Sequence, residues 1–63
     1  SPIRYLTRIR VEEAKKLLRT REELGIREIG ELVGYPDPCY FSRVFKEQTN
    51  QYPKEYRQSQ NET

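Results

Sequence analysis

Apolar positions recur at three- and four-residue intervals from the start of the chain. Ile3, Leu6, Val11, Ala14, Leu17 and Leu18, with Thr7 among them, draw one stripe along a long helix over 1–19. Ser1-Pro2 suits its start, because a serine hydroxyl can accept from an orphan backbone N–H and proline is tolerated at the first helical position. A polar connection, Thr20 to Gly25, follows. Gly25 then caps a short helix, Glu28 stands where a capping-box acid reaches back, and Leu24 and Ile29 hold the two positions of a hydrophobic staple. The pattern places Ile29, Leu32 and Val33 inward on this helix, which ends at Gly34 in a left-handed conformation; Pro36 prevents Tyr35 from continuing it.

Asp37-Pro38 opens the next helix, which runs to Thr49. Phe41, Val44, Phe45 and Gln48 share one side with Tyr40 at its margin, and Cys39, Ser42, Arg43 and Lys46 share the other. Asn50 suits a left-handed stop. Pro53 starts a short last helix over 53–58, with Tyr52 and Tyr56 closing the core from below, and 59–63 reads as a disordered tail. The fold class is all-α: a long helix, a helix-turn-helix over 26–49 and a short C-terminal helix, in a homeodomain-like arrangement. Small residues at Gly30 and Gly34 would let the second helix of the pair cross close to the first; the alternative is that Gly30 merely weakens a surface helix by about 1 kcal/mol relative to alanine.

Composition narrows the function. With 63 residues the chain forms one small domain, and with 35% charged and 33% hydrophobic residues it has little material for an enclosed catalytic cavity. One cysteine and no histidine exclude an intrachain disulfide, a Cys/His zinc site and a Ser-His or Cys-His nucleophile pair. No catalytic residue, cofactor or metal is expected. No apolar run approaches the roughly 18 residues that cross a bilayer, and no signal-peptide pattern opens the chain; a cytoplasmic, nucleoid-associated location is the expectation. The net charge of +2 is mild for a DNA binder. Arg4, Arg8, Arg10, Lys15, Lys16, Arg19, Arg21 and Arg27 crowd the first half, but Glu12, Glu13, Glu22, Glu23, Glu28 and Glu31 offset them.

The residues resemble a known family, the C-terminal DNA-binding domain of AraC/XylS-type bacterial transcription regulators. The resemblance rests on Pro2, Tyr5-Leu6, Arg10-Val11, Ala14 and Leu17-Leu18, then on Ile26, Ile29, Gly30, Leu32-Val33 and Gly34-Tyr35. It continues through Phe41-Ser42-Arg43, Phe45-Lys46, Pro53 and Glu55-Tyr56-Arg57. That domain is similar to two helix-turn-helix units joined by a connecting helix, and only the connecting helix and the second unit match here. The resemblance therefore implies half of a two-unit domain, a piece of a longer regulator whose first unit and sensor domain lie upstream. The sequence departs from the family at Gly30, where alanine is common, at Cys39, where serine or tyrosine is more usual, and at Asn50-Gln51-Tyr52-Pro53, which replaces Gly-x-Ser-Pro and removes a capping hydroxyl.

The expected partner is double-stranded DNA, with the second helix of the pair, about 38–49, in the major groove. Helix-turn-helix docking brings the N-terminal half of that helix to base edges, so Pro38, Cys39, Ser42 and Arg43 are the base-contact candidates. Arg43 can bond O6 and N7 of guanine together; its alternatives are a phosphate contact or ordinary solvation. Ser42 can meet a base or a phosphate, or merely cover the helix, and Cys39 offers a thymine-methyl contact or a silent position. Phosphate-contact candidates are Ile26 and Arg27 at a helix start, Lys46, Lys54, and Tyr40, whose apolar ring suits packing better than a phosphate bond. Arg57 is read as a DNA contact or a partner of Glu55 or Glu47, and Arg10 as a structural residue pairing with Glu13 or Glu31. The competing function is a protein-interaction module, for example one that contacts RNA polymerase, without direct DNA binding.

Overall fold

Four helices carry most of the chain in a computed structural model, which describes residues 1–61: α1 (Pro2–Thr20), α2 (Ile26–Leu32), α3 (Pro38–Thr49) and α4 (Pro53–Asn61). The described residues contain no strand, in keeping with the all-α class. Local signals set the helix starts. Ser1 Oγ accepts a long bond from the Arg4 N–H, 3.4 Å, and Glu28 Oε1 accepts from the Gly25 N–H at 3.0 Å. Asp37 Oδ1 accepts from the Cys39 and Tyr40 N–H groups at 2.9 and 3.4 Å; a cap of this kind contributes about 1 kcal/mol. At α4 the acid half of a capping box is formed, the Glu55 carboxylate accepting from the Tyr52 N–H at 2.8 Å.

The core gathers Val11, Ala14 and Leu18 of α1, Ile29 of α2, Val33 and Tyr35 of the turn, Phe41, Val44 and Phe45 of α3, and Tyr56 of α4. Aromatic rings run through it in sequence. Tyr35 stacks on Phe41 with centroids 6.1 Å apart, Phe41 meets Phe45 edge to face at 6.0 Å, and Phe45 meets Tyr56 likewise at 5.6 Å. Such geometries add about 0.5–1.5 kcal/mol per pair beyond the area they bury. This ladder fixes α3 between the turn before it and α4 after it.

Several expectations need correction. Burial of the α1 stripe begins only at Val11: Ile3 is 78% and Leu6 46% exposed, because they line an open groove shared with Tyr35, Pro36 and Tyr40 and do not pack into the core. Leu32 is 65% exposed. The inward arc of α2 centres on Ile29, Gly30 and Val33, and Leu32 lies about 100° from that centre at 100° per residue. Gln48 is exposed because its turn of α3 lies beyond the core.

The last helix reaches Asn61 rather than ending at 58, so the disordered tail expected over 59–63 is corrected for 59–61. No glycine or proline interrupts the segment, and Ser59 Oγ donates to the Tyr56 carbonyl at 2.8 Å within the helix. Glu62 and Thr63 lie outside the described residues. Arg57 meets neither acid: Nη1 donates to the Leu24 carbonyl at 2.8 Å, Nη2 to Arg21 at 3.2 Å and Nε to Leu18 at 3.3 Å. It thereby ties α4 to the last turn of α1 at Leu18 and to the following loop at Arg21 and Leu24. Arg19 Nη1 donates to the Tyr56 hydroxyl at 3.0 Å, adding a second tie between α1 and α4.

Candidate nucleic-acid interface

The turn between α2 and α3 determines what α3 can present. Gly34 has φ 105°, a conformation that side chains rarely adopt. The Gly34 N–H donates to the Glu31 carbonyl at 3.2 Å and the Tyr35 N–H to the Gly30 carbonyl at 2.7 Å, the paired bonds of a Schellman stop. Pro36 follows, and Asp37 restarts the chain as α3. Gly30 makes the helix pair tight, since a Cβ there would stand 2.9 Å from Phe41 Cδ2 and 3.2 Å from the Tyr35 carbonyl oxygen. At Gly34 the added atom would instead meet the Arg10 guanidinium, 3.0 Å away. Close crossing of α2 and α3 thus depends on Gly30, whereas Gly34 admits α1's arginine.

With Phe41, Val44 and Phe45 buried, the opposite side of α3 is left to solvent. Pro38, Cys39 and Arg43 are exposed and Ser42 is half-buried, so the four base-contact candidates lie along the N-terminal half of one helix. Neither ion pair among the described residues, Lys15–Glu12 or Arg21–Glu23, involves Arg43. Arg21 holds the Glu23 carboxyl below its ordinary value through a hydrogen bond, in the exposed loop after α1. The α3 face presents a guanidinium, a hydroxyl, a thiol and, one turn on, an ammonium.

The phosphate-contact candidates are spread over several elements. Lys46 is half-buried; its Nζ donates to the Asn50 carbonyl at 3.0 Å and sits over the Tyr52 ring, 5.1 Å from the centroid. Tyr40 is 52% exposed and packs edge to face on Tyr35 at 5.7 Å, so its ring has the packing role while its outer side faces solvent. Ile26 is half-buried against the core and Arg27 is exposed at the start of α2, where the Glu28 carboxylate already takes the Gly25 N–H. Lys54 is exposed in the first turn of α4.

Two features escaped the sequence reading. Arg10 stacks on the Tyr35 ring, 5.3 Å from Cζ to centroid, rather than pairing with Glu13 or Glu31. No local pattern joins residues 10 and 35. Tyr52 lies beside the α3 face because Asn50, with φ 67°, reverses the chain beneath Lys46. The αL stop was legible at Asn50, but not what it brings together. Among the described residues no group of three or more metal-ligating side chains occurs, and no helix is long and apolar enough to cross a membrane.

Residues 1–59 match the model of a family described as a helix-turn-helix domain. The chain is similar to an uncharacterized transcriptional regulatory protein of Bacillus subtilis, YesN: 44% identical over 57 residues, covering 89% of this chain and 16% of that protein. It is also similar to the HTH-type transcriptional regulator AlkR of Acinetobacter baylyi, 43% identical over 58 residues, covering 92% of this chain and 19% of AlkR. With the arabinose operon regulatory protein of Escherichia coli the identity is 46% over 48 residues, covering 76% of this chain and 16% of the regulator. The chain therefore spans less than a fifth of the length of these relatives. No solved structure matches it.

Proposed function

The chain belongs to the helix-turn-helix family of AraC-type bacterial transcription regulators, and from that premise we propose that it binds double-stranded DNA sequence-specifically with α3 in the major groove. The observation that carries the reading is the division of α3 into a buried apolar side and a solvent side holding Cys39, Ser42, Arg43 and Lys46, directly after a tight turn. A helix presented this way can enter a groove about 12 Å wide. Arg43 reads guanine through paired bonds to O6 and N7; Ser42, Cys39 and Pro38 contact neighbouring base edges, and Lys46, Lys54, Arg27, Tyr40 and the Ile26 N–H meet phosphates.

Effector sensing belongs to parts of a parent regulator outside these residues, and the working location is the cytoplasm, on the nucleoid. A second reading has its own observation. Leu32 is 65% exposed on α2, on the same short helix as the exposed acids Glu28 and Glu31, a combination unsuited to phosphates and suited to a protein such as RNA polymerase.

The test is titration of the chain with a short mixed-sequence duplex at about 50 and about 200 mM salt, beside Arg43→Ala, because each neutralised phosphate steepens the salt dependence. Binding that weakens with salt and weakens further in the variant supports α3 as the reader. A folded chain that does not bind at the lower salt overturns this reading for these residues alone, in favour of a required upstream unit or of the protein partner.

A further inference from the structure

We propose that Tyr52 joins Lys46 in a clamp for a DNA backbone phosphate at the junction of α3 and α4, an assignment that rests on the DNA-binding reading of α3. Lys46 lies on the solvent side of α3 one turn beyond Ser42, where a helix lying in the groove lifts from the bases toward the backbone. Two contacts hold its ammonium there: the hydrogen bond to the Asn50 carbonyl, 3.0 Å, and the face of the Tyr52 ring, 5.1 Å to the centroid. An ammonium has three donors, and the Asn50 bond engages one. The others remain for an anion.

The turn positions the tyrosine. Asn50 takes the left-handed conformation at φ 67°, and the Thr49 hydroxyl accepts from the Gln51 N–H at 3.2 Å while lying 2.9 Å from the Phe45 carbonyl. The chain is thereby folded back under the last turn of α3. Tyr52 is 50% exposed, and among the described residues its hydroxyl has no hydrogen-bond partner. A phenol O–H beside an anchored ammonium is a donor pair suited to two oxygens of one phosphodiester.

Acids nearby do not cancel the site. Glu55 turns its carboxylate back onto the Tyr52 N–H, 2.8 Å, and the exposed Glu47 and Lys54, next to Lys46 and Pro53 in sequence, carry opposite charges. Tyrosine stands where the family resemblance would place serine; its hydroxyl lies farther from the backbone and reaches outward from a helix start that Glu55 already caps.

The clamp is tested by titrating the chain with the mixed-sequence duplex over a series of salt concentrations, using Tyr52→Phe, Tyr52→Leu and Lys46→Gln beside Arg43→Ala. Tyr52→Phe keeps the ring under Lys46 and removes only the hydroxyl, so affinity falls about five-fold, the size of one net hydrogen bond, with an unchanged salt slope. Lys46→Gln lowers the slope by about one. Tyr52→Leu weakens binding more than Tyr52→Phe because it also releases the ammonium. Helix content by circular dichroism stays at the wild-type level, since Tyr52 is outside the core. Tyrosine variants that bind like wild type while Arg43→Ala is weakened overturn the clamp and leave the reading of α3 standing; a folded wild-type chain that does not bind DNA overturns both.

Discussion

The Arg10 guanidinium lies over the ring of Tyr35, its Cζ 5.3 Å from the centroid. Tyr35 in turn touches Tyr40 edge to face and stacks on Phe41, so a cation on α1 is linked through one ring to the first turn of α3. The approach requires the bare backbone of Gly34 beneath the guanidinium. Arg10→Ala removes the cation–π contact and the cover over the turn, with an expected loss of about 1 kcal/mol. Thermal unfolding then falls by about 4–8 °C for a domain of this size. An unchanged midpoint would show that Tyr35 is held by its aromatic neighbours alone.

Gly30 and Phe41 define a second prediction. Alanine at position 30 gains about 1 kcal/mol of helix propensity, but its methyl would stand 2.9 Å from a fully buried ring and 3.2 Å from a backbone carbonyl. Phe41 is packed between Tyr35 and Phe45 and has little room to yield. Overpacking of this kind costs about 1–3 kcal/mol, so Gly30→Ala is expected to be net destabilising by about 1 kcal/mol in urea titration. Stabilisation instead would mean that α2 and α3 move apart easily.

Arg57 gives a third. Its three donors satisfy the carbonyls of Leu18, Arg21 and Leu24, a fork that lysine cannot reproduce. Arg57→Lys and Arg57→Ala should each lower stability by about 2 kcal/mol, the range for hydrogen bonds from a charged donor. DNA affinity per folded molecule should be unchanged, because the guanidinium is engaged by the carbonyls of Leu18, Arg21 and Leu24. A specific loss of DNA binding at full stability would return Arg57 to the DNA face.

Features carried by neighbouring residues are legible in the sequence. Asp37-Pro38, Gly25 with Glu28, Gly34 and Asn50 act within three or four residues of themselves, and each sets the helix end it predicted. The α3 face was equally readable, since Phe41, Val44 and Phe45 leave only one direction for Cys39, Ser42, Arg43 and Lys46. What failed depended on distant partners. Leu32 fits an amphipathic pattern as well as Val33 does, and only the position of Phe41 against Gly30 decides which faces inward. Ile3 and Leu6 continue a regular stripe that nothing among the described residues covers. Arg57 sits 33 to 39 residues from the carbonyls it binds, a separation at which charge pattern carries no information.

The last prediction separates positioning from readout on α3. Asp37→Ala leaves the Cys39 and Tyr40 N–H groups without their acceptor and should destabilise the chain by about 1 kcal/mol. Its effect on DNA should be a uniform weakening across sequences, because the cap sets where α3 begins and its Oδ1 is engaged by the Cys39 and Tyr40 N–H groups. Arg43→Lys keeps the charge but not the fork that matches guanine O6 and N7. It should therefore bind a mixed-sequence duplex with nearly the wild-type salt slope, yet lose about 1–3 kcal/mol of preference in a selection over randomised duplexes at the base that Arg43 reads. If Arg43→Lys keeps the full sequence preference, Arg43 is a phosphate contact or a solvated side chain, and the reading passes to Ser42 and Cys39 beside it.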